Sequence, residues 1–160
     1  MPKTRSTKSQ RPSSHALDPI EKKDILISIK SQHMNNIVAR SKNHEFRNYP
    51  ISRTVERMWL YVSSPDQTLR YIAIISQGKV PGEISDGDSG LGNSDFNNKL
   101  TVTIGAASHA YEVIHLYKLA QPLHISLLRE RYSVSPPQRY TYTPKQLLDD
   151  VKLEDQEMLF

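Results

Sequence analysis

Short apolar runs separated by polar turns set the pattern of this chain. Ile25–Ile29 (ILISI) is a β-branched run bounded by Asp24 and Lys30, which predicts a buried strand. Ser31–Arg40 (SQHMNNIVAR) places Met34, Ile37 and Val38 at i, i+3 and i+4, the spacing of one helical face, with Ser31 as the expected N-cap. Met58–Val62 and Leu69–Ile75 read as strands joined by a turn at SSPDQ. Leu69–Ile75 is apolar on both faces apart from Arg70, as a central strand would be. Tyr111–Leu119 alternates as a further strand. Pro122 leads into a short helix, Arg139–Thr143 alternates again, and Pro144 opens a last helix, because proline suits the first helical position. These elements predict an α+β fold over residues 24–144: a small mixed β-barrel with one or two packed helices. Its core is expected to hold Ile25, Ile27, Ile29, Phe46, Ile72 and Ile74.

Between these runs, residues 78–99 carry five of the six glycines among several Asp and Asn residues. This is a long loop, expected to be mobile and to lie over a cleft. Gly87, Gly90 and Gly92 do not follow the order of a phosphate cradle, and Glu83, Asp86 and Asp88 do not follow a calcium loop.

Charge divides the chain of 160 residues into three. Residues 1–23 carry a net +4, residues 24–144 a net +3 and residues 145–160 a net −3. The first segment has almost no apolar residue and is expected to be a disordered basic arm that favours nucleic acid through counterion release. The last segment is expected to be a helix with an acidic tail, either frayed or serving as a short protein-binding motif. The absence of cysteine excludes disulfides and cysteine-ligated zinc. The six histidines show no metal-ligand spacing, so neither a metal nor a cofactor is expected. No apolar run approaches a membrane span and the opening residues lack a leader-type apolar region. An intracellular monomer in nucleus or cytoplasm, away from membranes, is the expectation.

The densest chemistry lies in Ser41–Pro50 (SKNHEFRNYP). On a strand Glu45 and Arg47 share one face and Phe46 takes the other, so Phe46 can anchor in a core while the charges stand at the edge of a cleft. Lys42 reaches the same place from the preceding turn. A carboxylate between two cations is held oriented and can accept from an amino or imino group of a base. The simpler alternative is a surface ion-pair strand.

The order strand, helix, charged motif, proline, strand and Ser63-Ser64-Pro65 resembles the opening of ASCH domains in the PUA-like superfamily. There a Gly-x-Lys-x-x-Glu-x-Arg motif follows the first helix, and Lys42, Glu45 and Arg47 occupy its charged positions. Arg40 stands where the family has glycine. The resemblance covers about Asp24 to Thr143 and implies a PUA-like β-barrel with a cleft, associated with RNA and other nucleic-acid ligands. Some relatives are hydrolases that place a threonine three positions after the motif lysine, where this chain has Glu45.

Three functions follow as expectations. The first is a nucleic-acid-binding module, with RNA before DNA and a single or modified base in the cleft. Its binding residues would be Arg40, Lys42, Glu45, Arg47, Arg53, Arg57, Ser63 and Ser64, with Tyr49, Trp59 and Tyr61 as stacking faces. The alternative is a ribonuclease or small hydrolase using Lys42 and Glu45 as catalytic residues. The third is an adaptor that engages a protein through the C-terminal tail. Trp59, and Tyr61 with it, have a competing place in the core.

Overall fold

The computed structural model describes residues 22–101 and 104–160. The basic arm expected over residues 1–23 therefore lies almost wholly outside the described residues. Seven strands form one mixed sheet: β1 (Asp24–Ile29), β2 (His44–Arg47), β3 (Arg57–Val62), β4 (Thr68–Ile75), β5 (His109–His124), β6 (Tyr140–Tyr142) and β7 (Glu157–Met158). Helix α1 (Ser31–Val38) follows β1, α2 (Asn93–Asn97) lies in the long loop, and α3 (Ile125–Tyr132) and α4 (Lys145–Asp150) follow β5 and β6. The sheet order is β2-β5-β4-β3-β1-β6, with β7 also paired to β5. β1 and β3 are parallel and every other pairing is antiparallel. Irregularities at Leu60/Tyr61, Leu69/Tyr71 and Ile74/Ile75 add local twist, and the sheet curls into a half-barrel whose end strands β2 and β6 do not pair.

Both faces of the sheet are covered. Ile25, Ile27 and Ile29 of β1 meet Met34 and Ile37 of α1 in an inner core with Met58, Leu60, Tyr49 and Tyr111. Leu26, Trp59, Tyr61 and Ile72 point the other way, onto Ile125, Leu128 and Leu147 of α3 and α4. That is why β1, β3 and β4 read as continuous apolar runs rather than alternating ones. Trp59 and Tyr61 are core residues, each 2% exposed, and offer no stacking face to a ligand. Ile74, expected in the core, is half-buried. The helix begins at Ser31 with Lys30 at the cap position and no side-chain cap.

The acidic tail is part of the sheet rather than frayed. Leu159 N donates to Leu116 O at 2.8 Å and Leu116 N to Phe160 O at 3.1 Å. Leu159 and Phe160 pack against the inner core, and Gln156 Oε1 accepts from Ala120 N at 2.8 Å. Leu159 and Phe160 are thus engaged within the chain, while Met158 is exposed. Among the described residues no helix is long and apolar enough to cross a membrane.

Candidate functional site

The site grows from the turn between α1 and β2. Arg40 adopts a left-handed conformation, φ 63°, that stops the helix, and Lys42 N then donates back to Asn36 O at 3.0 Å. Glycine suits this conformation best, and an L side chain there costs about 1–2 kcal/mol. The Arg40 guanidinium lies 4.5 Å from the Phe160 ring centroid, a cation–π contact that offsets part of that cost. The turn aims Lys42 back at α1, where its buried Nζ sits 3.3 Å from His33 Nδ1 and 5.2 Å from the Phe46 ring centroid. Burial lowers the Lys42 pKa. Glu45 pulls it back up and Arg47 pushes it down.

β2 presents Glu45 and Arg47 on one face and Phe46 on the other, as expected, but Phe46 packs outside the inner core. Glu45 pairs with Tyr111 and Phe46 with Ala110. Directly opposed residues share a face, so Glu45 stands with the inner-core residue Tyr111, towards the mouth of the half-barrel. Phe46, half-buried, is covered by the long loop, in a small cluster with Ile84, Phe96 and Ile104. The charged pair is therefore on the inner face and the phenylalanine on the outer one. The physical reason is the loop, which supplies Phe46 with a second apolar cover that local alternation cannot reveal.

That loop is fastened rather than loose. Asn43 Oδ1 accepts from Asn93 Nδ2 at 3.0 Å and from His44 Nδ1 at 2.7 Å, while its Nδ2 donates to Asp88 Oδ1 at 2.7 Å. Asn97 ties Gly82 and Ile84 together in the same way. A side chain at Gly90 would run into Asn43 Oδ1, and Gly92, at φ 84°, brings the backbone against Phe46. His44 is fully buried. Its Nε2 accepts from Lys79 Nζ at 3.0 Å, which fixes the neutral ring with its proton on Nδ1.

Glu45 is 5% exposed. Its Oε1 lies 3.6 Å from Arg47 NH2, and the same NH2 donates to Ser28 O at 2.8 Å. Arg47 thereby bridges β2 to β1 across the seam that the sheet leaves unpaired. Tyr49 follows the strand, its turn held by Ile51 N donating to Tyr111 Oη at 2.6 Å. Three buried polar atoms here have no hydrogen-bond partner: Glu45 Oε2, Arg47 Nε and Tyr49 Oη. All three residues line one cleft of about 440 Å³, walled by the end of β1, His33, Ser63, Gln138 and the loop residues Ile104, Ala106 and Ala107. That volume falls within the about 300–1,000 Å³ of small-molecule sites.

No family model matches the chain and no curated protein does. Solved structures match its fold. The ASCH protein of Zymomonas mobilis is 19% identical, with a TM-score of 0.63 over 80% of this chain and 92% of that one. This chain has the ASCH fold. A single-substitution variant of the same bacterial protein matches at 18% identity and a TM-score of 0.55, over 82% of this chain and 99% of its own. A second such variant matches at 18% and 0.54, over 80% and 95%.

On this ASCH fold the expected site residues separate. Glu45, Arg47 and Ser63 line the cleft, and Lys42 lies behind it in an adjoining hollow of about 200 Å³ with His33 and Phe46. Arg40 stacks on the tail instead, and Ser64 is exposed outside the cleft. Arg53 stands in a neighbouring hollow beyond Tyr49. Arg57 belongs to another part of the sheet. Its Nε and NH2 donate to Asp24 at 2.8 and 2.7 Å, and Trp59 Nε1 donates to the same carboxylate at 2.7 Å. Sequence reasoning missed His33 and Gln138, which come from the helix and from the segment before β6, and placed Tyr49 only as an interleaved aromatic. Among the described residues no group of three His, Cys, Asp or Glu side chains could hold a metal.

Burial, and then the neighbouring Lys42, lowers the His33 pKa below 6.5; burial, and then Lys79, does the same for His44. Both rings bind a proton less readily folded than unfolded, so the unfolded chain takes up more protons as pH falls through 6.5. Stability is expected to be full above that pH and to decline below it. Thermal midpoints between pH 7.5 and 5.5 check this, and a midpoint that rises on acidification would refute it.

Proposed function

We propose that the cleft binds single-stranded RNA by taking up one unstacked base. The observation that carries this is the set of orphaned polar atoms at the cleft. Glu45 Oε2 needs a donor, Arg47 Nε needs an acceptor, and Tyr49 Oη can serve as either. A base edge with an amino or imino group beside a carbonyl supplies both. Buried polar groups left unpaired cost about 1–3 kcal/mol each, so a ligand that satisfies them gains that back on binding. Ser63 stands at the wall as a hydroxyl contact, and Lys42 adds positive charge from behind. The ASCH resemblance supports the same class of ligand. The protein acts here as a monomer with a nucleic-acid partner.

The test is a titration of short labelled RNA, single-stranded DNA and duplex by fluorescence anisotropy. Saturable binding is expected for the single strands and weak binding for the duplex. With one to three phosphates engaged, log K should fall with log salt at a slope of about −1 to −2. Equal affinity for duplex, or no saturable binding of any strand, would sink the reading.

A second reading, cleavage of a phosphodiester, has one observation in its favour. The lowered pKa of Lys42 and its contact with His33 put a proton-exchanging pair beside Glu45. A cleavage time course on the same RNA decides between the two.

A further inference from the structure

A second hollow, of about 770 Å³, lies on the far side of the turn that follows β2. Three separate segments wall both it and the cleft. Tyr49 faces the cleft and Pro50 the hollow; Ala107 faces the cleft and His109 the hollow; Gln138 faces the cleft and Tyr140 the hollow. The two spaces are thus neighbours along a single path over Tyr49. The Tyr49 and Tyr140 rings pack with centroids 6.0 Å apart, and Tyr142 meets Tyr140 edge-on at 6.1 Å. The Arg139 guanidinium sits 5.1 Å from the Tyr49 ring centroid. Arg53 is exposed at the hollow, and among the described residues neither Arg53 nor Arg139 is paired with a carboxylate. The one carboxylate lining the hollow, Glu83, accepts from Val80 N at 3.3 Å.

Unpaired guanidinium groups beside a half-buried aromatic ring fit a phosphate and a base face in succession. Resting on the proposal that the cleft takes an RNA base, we infer that the strand continues into this hollow. The neighbouring nucleotide stacks on Tyr140, and Arg139 and Arg53 hold the phosphates that join and follow the two nucleotides. The footprint is then at least two nucleotides, and the second position is read by stacking, without preference for one base.

The test compares a nucleoside 5′-monophosphate with a hexanucleotide RNA, by calorimetry or anisotropy, on wild type, Tyr140→Leu, Tyr140→Phe and Arg53→Ala. The wild type should bind the hexamer at least tenfold tighter than the mononucleotide. Tyr140→Leu should lose about tenfold for the hexamer and stay within twofold for the mononucleotide. Tyr140→Phe, which keeps the ring, should match wild type. Arg53→Ala, at an exposed position that does not threaten folding, should lose a few-fold for the hexamer only. If the hexamer binds no tighter than the mononucleotide, or if Tyr140→Leu and Arg53→Ala leave hexamer affinity unchanged, the path is overturned while the cleft stands. If wild type binds neither probe, the cleft reading itself falls.

Discussion

Glu45→Gln is expected to weaken binding of a short single-stranded RNA by about 10- to 100-fold while leaving the fold intact. The amide keeps the shape of the carboxylate, so the packing against Tyr111 survives. It loses the charge and one acceptor, and it can turn an N–H towards the donor that Oε2 would have received. Hydrogen bonds to charged groups contribute about 1.5–3 kcal/mol, and each 1.4 kcal/mol is a tenfold change in affinity. Lys42 responds as well. Glu45 raises the pKa of Lys42 against its burial, so the variant holds a weaker cation behind the cleft. Anisotropy titration of wild type and variant, with circular dichroism to verify folding, measures the effect. Unchanged affinity would reduce Lys42, Glu45 and Arg47 to an ion-pair strand. Cleavage by wild type, abolished in the variant while binding survives, would make Glu45 a general base and replace the binding reading by the catalytic one.

Arg47→Ala should cost about 3 kcal/mol of folding stability as well as ligand affinity. Two losses combine. Glu45, 5% exposed, is left as a buried carboxylate without its cation, and breaking such a pair is typically destabilising by about 3–5 kcal/mol. The bridge from NH2 to Ser28 O also disappears, and with it a tie between β2 and β1, which are not neighbours in the sheet. Urea unfolding of the single variants and of the double variant Glu45→Gln/Arg47→Ala tests the argument. The double variant should recover about 1–2 kcal/mol relative to the sum of the singles, because the amide no longer needs the cation. Strict additivity would mean that the pair is not coupled, and the loss would then belong to the bridge alone.

What the sequence could and could not reveal follows from the range of the forces involved. The strands at Ile25–Ile29 and Leu69–Ile75 were legible because burial on both sheet faces writes itself as a local apolar run. The Lys42, Glu45 and Arg47 motif was legible because its spacing is fixed within a few residues of chain. The face of β2 was not legible, since alternation gives two faces but not which one meets the inner core. Phe46 found its cover fifty residues away, on Phe96, with ring centroids 5.4 Å apart. Arg57 follows the motif closely in sequence, and nothing local separates it from Lys42, Glu45 and Arg47. The sheet order instead puts β5 and β4 between β2 and β3, and Asp24, on the strand that pairs with β3, takes Arg57. Ser63 and Ser64 are adjacent and chemically alike, yet only Ser63 lines the cleft. Tyr49 reads locally as one more interleaved aromatic, and the groups that pack on its ring, Arg139 and Tyr140, lie ninety residues on.

The short strand β7 has a bearing on solubility. β5 pairs with β4 along one side, while its other side is met first by β2, near His109–Glu112, and then by β7 at Tyr117 and Lys118. Without β7 the second half of the longest strand in the molecule would present bare N–H and C=O groups to any other extended chain, beside the exposed Ile114. Such an edge is a template for strand addition and self-association. A few residues of acidic chain occupy it instead and place Glu157 at its rim. The tail thus covers an edge of β5 that would otherwise stand open to strand addition.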